Sequence, residues 1–143
     1  MRTTHRGGCL CGGVRYEVEG PLAPVQFCHC GQCRKAQGSA FAANVPVASD
    51  SFRLVQGEDL LREHRASPGK RRVFCGACGS PIFSQRDAAP EVKRLRAGSL
   101  DGDGADLIPG FHIQTRSKAA WWPLPATLPA YPDEPPTQVG GTI

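Results

Sequence analysis

Seven cysteines gathered into three tight clusters constrain this chain more than any other feature of its 143 residues. Gly8-Cys9-Leu10-Cys11-Gly12-Gly13 is a C-x-C pair wrapped in glycine, and Cys75-Gly76-Ala77-Cys78-Gly79 is a C-x-x-C pair closed by glycine. Cys28-His29-Cys30-Gly31-Gln32-Cys33 places three more sulfurs in one short turn. An odd count cannot pair fully into disulfides within one chain, and cysteines this close in sequence bridge poorly. The same spacing suits a metal ion, because tight turns let neighbouring sulfurs converge, with glycine supplying positive φ or a close backbone approach. Metal or reactive thiols in a reducing compartment are therefore the expectation, rather than a disulfide framework.

Two knuckles brought together by the fold make a tetrahedral zinc site of four cysteines, with Zn–S distances of about 2.3 Å. If Cys9, Cys11, Cys75 and Cys78 form it, the triplet Cys28, Cys30 and Cys33 is left with three sulfurs and an open fourth position. Structural zinc sites are closed by four protein ligands, whereas catalytic ones keep a place for water or substrate. Spacing alone leaves other groupings open, such as Cys9/Cys11 with Cys28/Cys30. A histidine among His29, His112, His5 and His64 is an alternative fourth ligand, although His29, between two ligands, should point away. A metal-free redox pair at Cys30 and Cys33 is a further alternative.

Charge adds little. The formal net charge is +4, but zinc-bound cysteines are thiolates, and a doubly loaded chain carries only about +1. The basic runs Lys70-Arg71-Arg72 and Lys93-Arg94-Leu95-Arg96 read most simply as solvated strand faces, and aromatics are only 7%, so stacking platforms for nucleic acid are scarce. A non-catalytic zinc module binding a protein or nucleic acid is the rival from another functional class. No apolar stretch is long enough to span a bilayer, and Met1 to Leu10 lacks the apolar core of a signal peptide; a cytoplasmic protein with no membrane partner is expected.

Glycine and proline divide the chain into short segments, and a mainly β fold is predicted. Strands are expected at Val14–Glu19, Ala40–Val47, Phe52–Val55, Arg72–Phe74, Ile82–Ser84 and Phe111–Thr115, with one helical turn from Cys33 to Gln37 stopped by Gly38. The organisation expected is a zinc domain over residues 1–122 and a proline-rich tail over 123–143. Trp121 and Trp122 should anchor the end of the folded part. The tail, with Pro123, Pro125, Pro129, Pro132, Pro135 and Pro136 before Val139-Gly140-Gly141, should not continue a sheet.

The chain resembles the glutathione-dependent formaldehyde-activating family, which includes the centromere-protein-V-like domains. The resemblance is carried by Gly8-Cys9-Leu10-Cys11-Gly12 with Val14-Arg15-Tyr16, and by Cys28-His29-Cys30-Gly31-Gln32-Cys33-Arg34-Lys35 with Gly38-Ser39-Ala40-Phe41. It continues in Phe74-Cys75-Gly76-Ala77-Cys78-Gly79-Ser80-Pro81-Ile82-Phe83, Ala97-Gly98-Ser99-Leu100-Asp101, and His112-Ile113 with Lys118 and Trp121. It implies a β-tent of small antiparallel sheets. It also implies a structural zinc on Cys9, Cys11, Cys75 and Cys78 and a catalytic zinc on Cys28, Cys30 and Cys33. The implied activity is that of a carbon–sulfur lyase joining a small thiol, glutathione, to formaldehyde as S-hydroxymethylglutathione. By family position His112, Lys118 and Ser39 are candidate proton donors, and Arg34 and Lys35 candidates for a substrate carboxylate. A satisfied strand histidine and ordinary surface charges are the plainer readings of these side chains. Three thiolates also weaken a zinc ion as a Lewis acid, which favours binding a thiol over activating water.

Overall fold

The computed structural model describes residues 3–135, so Pro136 and the Val139-Gly140-Gly141 run lie outside the described residues. Ten strands and one short helix make up the framework. They are β1 (Thr4–Gly8), β2 (Arg15–Glu19), β3 (Val25–Cys28), α1 (Gly31–Gln37), β4 (Ala42–Ala48), β5 (Phe52–Gln56), β6 (Leu61–Ser67), β7 (Lys70–Cys75), β8 (Pro81–Arg86), β9 (Val92–Arg96) and β10 (Pro109–Ile113). A three-stranded antiparallel sheet runs β1-β2-β5, and a seven-stranded sheet runs β10-β3-β4-β9-β8-β7-β6. Within the larger sheet β10 and β3 are parallel and the other pairs antiparallel. No helix among the described residues is long and apolar enough to cross a membrane.

The two faces of the larger sheet differ in chemistry because side chains alternate along each strand. In register, Val45, Leu95, Phe83 and Val73 form one apolar row across four strands. This face packs with Val14, Tyr16 and Val18, forming the main core. Phe52 of β5 stacks on Tyr16 at 5.1 Å and meets Phe83 edge-on at 5.5 Å, joining the two sheets as a tent. The opposite face carries the row Pro46, Arg94, Ser84 and Arg72, flanked by Arg96, Asn44 and Gln26. A smaller cluster of Cys28, Cys33, Ala42, Phe111 and Ile113 lies at the β10 end of the sheet.

All six predicted strands are present, with ends shifted by a few residues, and the predicted turn is helix α1. Gly38 stops it in the left-handed conformation, φ 61°, its N–H returning to the Arg34 carbonyl, as a helix terminus with unpaired carbonyls favours. Strands β1, β3, β6 and β9 are not among the six expected. β1 (Thr4-His5-Arg6-Gly7-Gly8) and β6 (Leu61-Arg62-Glu63-His64-Arg65-Ala66-Ser67) have polar sequences, because each is an edge strand positioned by one neighbour.

Two expectations about the C-terminal part are corrected. The proline-rich segment does extend the sheet locally, along the free edge of β10. The Pro129 carbonyl accepts from the His112 N–H at 2.9 Å, and the Tyr131 N–H donates to the His112 carbonyl at 3.0 Å. Pro129 serves only as an acceptor, and Tyr131, which stands between Pro129 and Pro132, keeps the N–H that pairs, so the missing proline donors fall where none is needed. The two tryptophans also differ. Trp122 packs on His29 and Phe41, whereas Trp121 is 71% exposed and anchors nothing described.

Gly57 adopts φ 92°, and a Cβ there would lie 2.4 Å from the Gly13 carbonyl oxygen, immediately behind the Cys9/Cys11 knuckle. Backbone cannot yield to that contact, and the left-handed conformation adds its own penalty. Gly57→Ala should therefore destabilise the protein by at least about 2 kcal/mol, read as a lowered urea midpoint at unchanged slope.

Candidate metal centres

The first cysteine knuckle turns through Cys9 to Gly13, with the Gly12 N–H on the Cys9 carbonyl at 3.1 Å and the Val14 N–H on the Cys9 sulfur at 3.2 Å. The second leaves β7 at Cys75, where the Gly79 N–H returns to the Cys75 carbonyl at 2.7 Å and Gly79 takes φ 81°. The fold brings them face to face. The sulfurs of Cys9, Cys11, Cys75 and Cys78 all lie within 4.8 Å of one another. Cys9 and Cys11 sulfurs are 3.5 Å apart and those of Cys11 and Cys75 3.9 Å. A tetrahedron with Zn–S bonds of about 2.3 Å has edges of roughly 3.8 Å, so this donor set fits zinc. Hydrogen bonds from the Ser80 hydroxyl and from the Ser80 and Cys11 N–H groups lower the Cys78 thiol to about 5. The Gly13 N–H pulls Cys11 down, but the Cys9 and Cys78 sulfurs prevail and raise it to about 11.

The second set is built by the end of β3 and the start of α1. Cys28 closes the strand, Cys30 is the helix N-cap and accepts the Cys33 N–H at 3.3 Å, and Cys33 sits inside the first turn. Their three sulfurs again lie within 4.8 Å of one another. Cys33 is fully buried and Cys28 nearly so, while Cys30 is the partly exposed member. All seven cysteines are free thiols. Both sets can therefore hold a metal ion, the second with three protein sulfurs.

Electrostatics around the triplet set it apart. Hydrogen bonds from Cys28 and Cys30, with the charge of Lys70 and a hydrogen bond from Arg72, hold the Cys33 thiol far below its usual range against the opposing effect of burial. The neighbouring sulfurs and burial push Cys28 up correspondingly. Arg72 places Nη2 3.6 Å from the Cys33 sulfur. Arg96 is 5% exposed and donates to Gln37 Oε1 at 2.8 Å, Asn44 Oδ1 at 2.5 Å and Ser84 Oγ at 3.2 Å. Burial lowers it to about 10, although the Cys33 and Cys28 sulfurs favour its charged form. The basic runs are therefore not merely solvated faces. Alternation turns Lys70, Arg72, Arg94 and Arg96 toward the cysteine face, while Lys93 lies over the Phe52 and Phe83 rings on the other. In the second run Arg94 and Arg96 flank Leu95, and that alternation was the available signal; the first run is basic throughout and carries none.

The remaining site candidates are dispersed. His112 pairs with Phe27 in the β10/β3 register and its ring lies against Phe27, so it occupies the face opposite Cys28. There its Nδ1 is 2.8 Å from His29 Nε2, among Phe27, Phe41 and Trp122. Burial, the neighbouring His112 and Lys118 lower His29 to about 4, and burial lowers His112. Lys118 donates to the Ala119 and Trp122 carbonyls at 2.9 and 2.6 Å. His5 faces Asp106, and His64 lies on the exposed edge strand β6. Ser39 is exposed and lines a cleft of about 630 Å³ with Cys9, Phe41, Arg96 and Asp101. None of the triplet sulfurs lines that cleft, which approaches them through Gln37 and Arg96. Arg34 is half-buried and Lys35 exposed.

Against known proteins, the family model described as "Glutathione-dependent formaldehyde-activating enzyme" matches residues 4–117. A crystal structure of a Rhodobacter sphaeroides protein is similar in fold, with a TM-score of 0.60 and 26% identity over 73% of this chain and 97% of that one.

Replacing Arg96 by leucine leaves the buried Asn44 and Ser84 acceptors without their donor and removes a cation whose charge favours the Cys33 and Cys28 thiolates. Arg96→Leu should cost about 3 kcal/mol in unfolding free energy, measured by denaturant titration of the metal-loaded protein.

Proposed function

We propose that this chain, which belongs to the glutathione-dependent formaldehyde-activating enzyme family, is a zinc-dependent carbon–sulfur lyase acting on a small thiol. The reaction proposed is addition of the glutathione thiol to formaldehyde, giving S-hydroxymethylglutathione, or its reversal. One observation carries the reading: three sulfurs converge within 4.8 Å with a hydrogen-bonding cation beside them, which is a donor set one short of a closed site.

In this proposal Cys9, Cys11, Cys75 and Cys78 hold a structural zinc and Cys28, Cys30 and Cys33 a second one. When bound there, zinc supplies a site that lowers a thiol's pKa and presents it as thiolate. The chain's own groups do the rest. Arg72 donates to the Cys33 sulfur and so disperses its charge. Phe111, Ile113 and Tyr131 wall the triplet and limit water at it. In the addition step the thiol gives up its S–H proton, the carbon–sulfur bond forms as the carbonyl π bond opens, and the oxygen takes up one proton, so thiol and aldehyde combine with nothing left over. Ser39 is the proton donor that the arrangement favours among the three candidates, since it is exposed on the neighbouring cleft. His112 is better suited to holding His29, and with it the Cys28–Cys30 turn, in place. Lys118 braces the turn that seats Trp122. Free thiols throughout suit a reducing, cytoplasmic setting.

Metal analysis should return about two zinc ions per chain, one of them released much faster by a mild chelator. Equal resistance, or a single ion, argues against an open second site. Zinc-edge absorption on titration with glutathione should show the sulfur count rising from three to four at half of the zinc. An unchanged spectrum under saturating thiol overturns the thiol-binding reading and favours a non-catalytic zinc module.

A further inference from the structure

The charges around the three-cysteine set do not balance among the described residues. Lys70, Arg72, Arg94 and Arg96 all face it or lie within its field. None of the four has a carboxylate at ion-pair distance among the described residues, where every such pair involves other cations. The acid that Arg94 senses, Glu134, is paired to Arg86 at 2.9 Å. With three thiolates and one divalent ion in place, four cations leave a positive excess of about three. Charge is expensive to desolvate without a counter-charge.

Unused hydrogen bonds lie on the same face. Arg72 spends Nη2 on the Cys33 sulfur, while its buried Nη1 has no acceptor. Gln26 is 2% exposed and two residues before Cys28; its Oε1 accepts from Arg94 Nη1 at 3.3 Å, and its buried Nε2 has no acceptor. Both orphans are donors. Two unpaired N–H donors beside uncompensated guanidinium groups call for an anionic acceptor.

We infer that Arg72, Arg94 and Gln26 form a carboxylate subsite beside the three-cysteine centre, which selects thiols bearing a carboxylate over neutral ones. Arg34, singled out in the sequence for this role, also keeps a buried Nε without an acceptor and lies on α1 beside Cys33, whereas Lys35 is exposed. The inference rests on the reading that this centre binds a small thiol. A thiolate and a carboxylate from one ligand together cancel most of the positive excess, so the two contacts reinforce each other.

The test uses the full zinc-loaded chain and three probes: 3-mercaptopropionate, 3-mercaptopropan-1-ol and propionate. Calorimetry gives affinities, and ¹⁵N shifts of the arginine side chains locate the carboxylate. The anionic thiol should bind at least about tenfold more tightly than the neutral one, the worth of one charge-assisted hydrogen bond. Arg94→Gln should reduce that preference to within about twofold while leaving affinity for the neutral thiol nearly unchanged, and Arg94→Lys should retain part of it. Arg72→Gln, which also loses the hydrogen bond to Cys33, should weaken both thiols and the anionic one more. Zinc content and circular dichroism of each variant exclude unfolding as the cause. Equal binding of both thiols by the wild-type protein overturns the subsite and leaves the thiol-binding reading standing. Binding of propionate with Arg72 and Arg94 shifts, but of neither thiol at the metal, keeps the subsite and overturns that reading. Absence of binding by all three probes overturns both.

Discussion

The pleat of the seven-stranded sheet separates two chemistries by one layer of backbone, and the remaining organisation depends on that separation. On one side Val45, Leu95, Phe83 and Val73 bury an apolar row against Tyr16 and Phe52. On the other, Asn44, Arg96, Arg94, Ser84 and Arg72 face the cysteine triplet and its helix. A strand side-chain period of two means that a one-residue slip of β9 would send Arg94 and Arg96 into the apolar core. The register is therefore held twice, by hydrophobic burial and by the arginine hydrogen bonds to Asn44, Ser84 and Gln26. Electrostatics and packing enforce the same pairing, which is why so polar a sheet face can be buried.

The cationic face and the sulfurs support one another. Buried guanidinium groups are costly alone, and three adjacent thiolates repel. Placed together, each lowers the cost of the other, and Arg72 contacts the Cys33 sulfur directly. In the proposed reading, the excess of positive charge is what makes the three-cysteine set select an anionic thiol. The four-cysteine set has different surroundings: its hydrogen bonds come chiefly from backbone N–H groups and Ser80. That suits a closed site tying β7 to the loop before β2.

Behind the triplet, His29 links the two faces. It lies between two sulfur-bearing residues, yet its ring passes to the opposite side and meets His112. His112 in turn exchanges backbone hydrogen bonds with Pro129 and Tyr131, and Tyr131 returns to pack on the triplet side near Phe111. The proline-rich segment is thus part of the wall around the site.

How much was legible beforehand depended on the range of the interactions. Cys9, Cys11, Cys75 and Cys78 announce metal knuckles through local spacing and glycine turns, and the mainly β character follows from short alternating segments; both are encoded within a few residues. Edge strands β1 and β6 were not legible, because their polar sequences become strands only through a partner. The tail's pairing with β10 was hidden for the same reason. The arginines were misread because a basic run looks solvated until tertiary structure states which face of the strand is covered. By itself the sequence determined which atoms can bind metal, since that is a property of side-chain type and short-range geometry. The surroundings of the open set were decided only when β3, β4, β7 and β9, far apart in the chain, were aligned side by side, because charge balance and unpaired donors are properties of what is buried together.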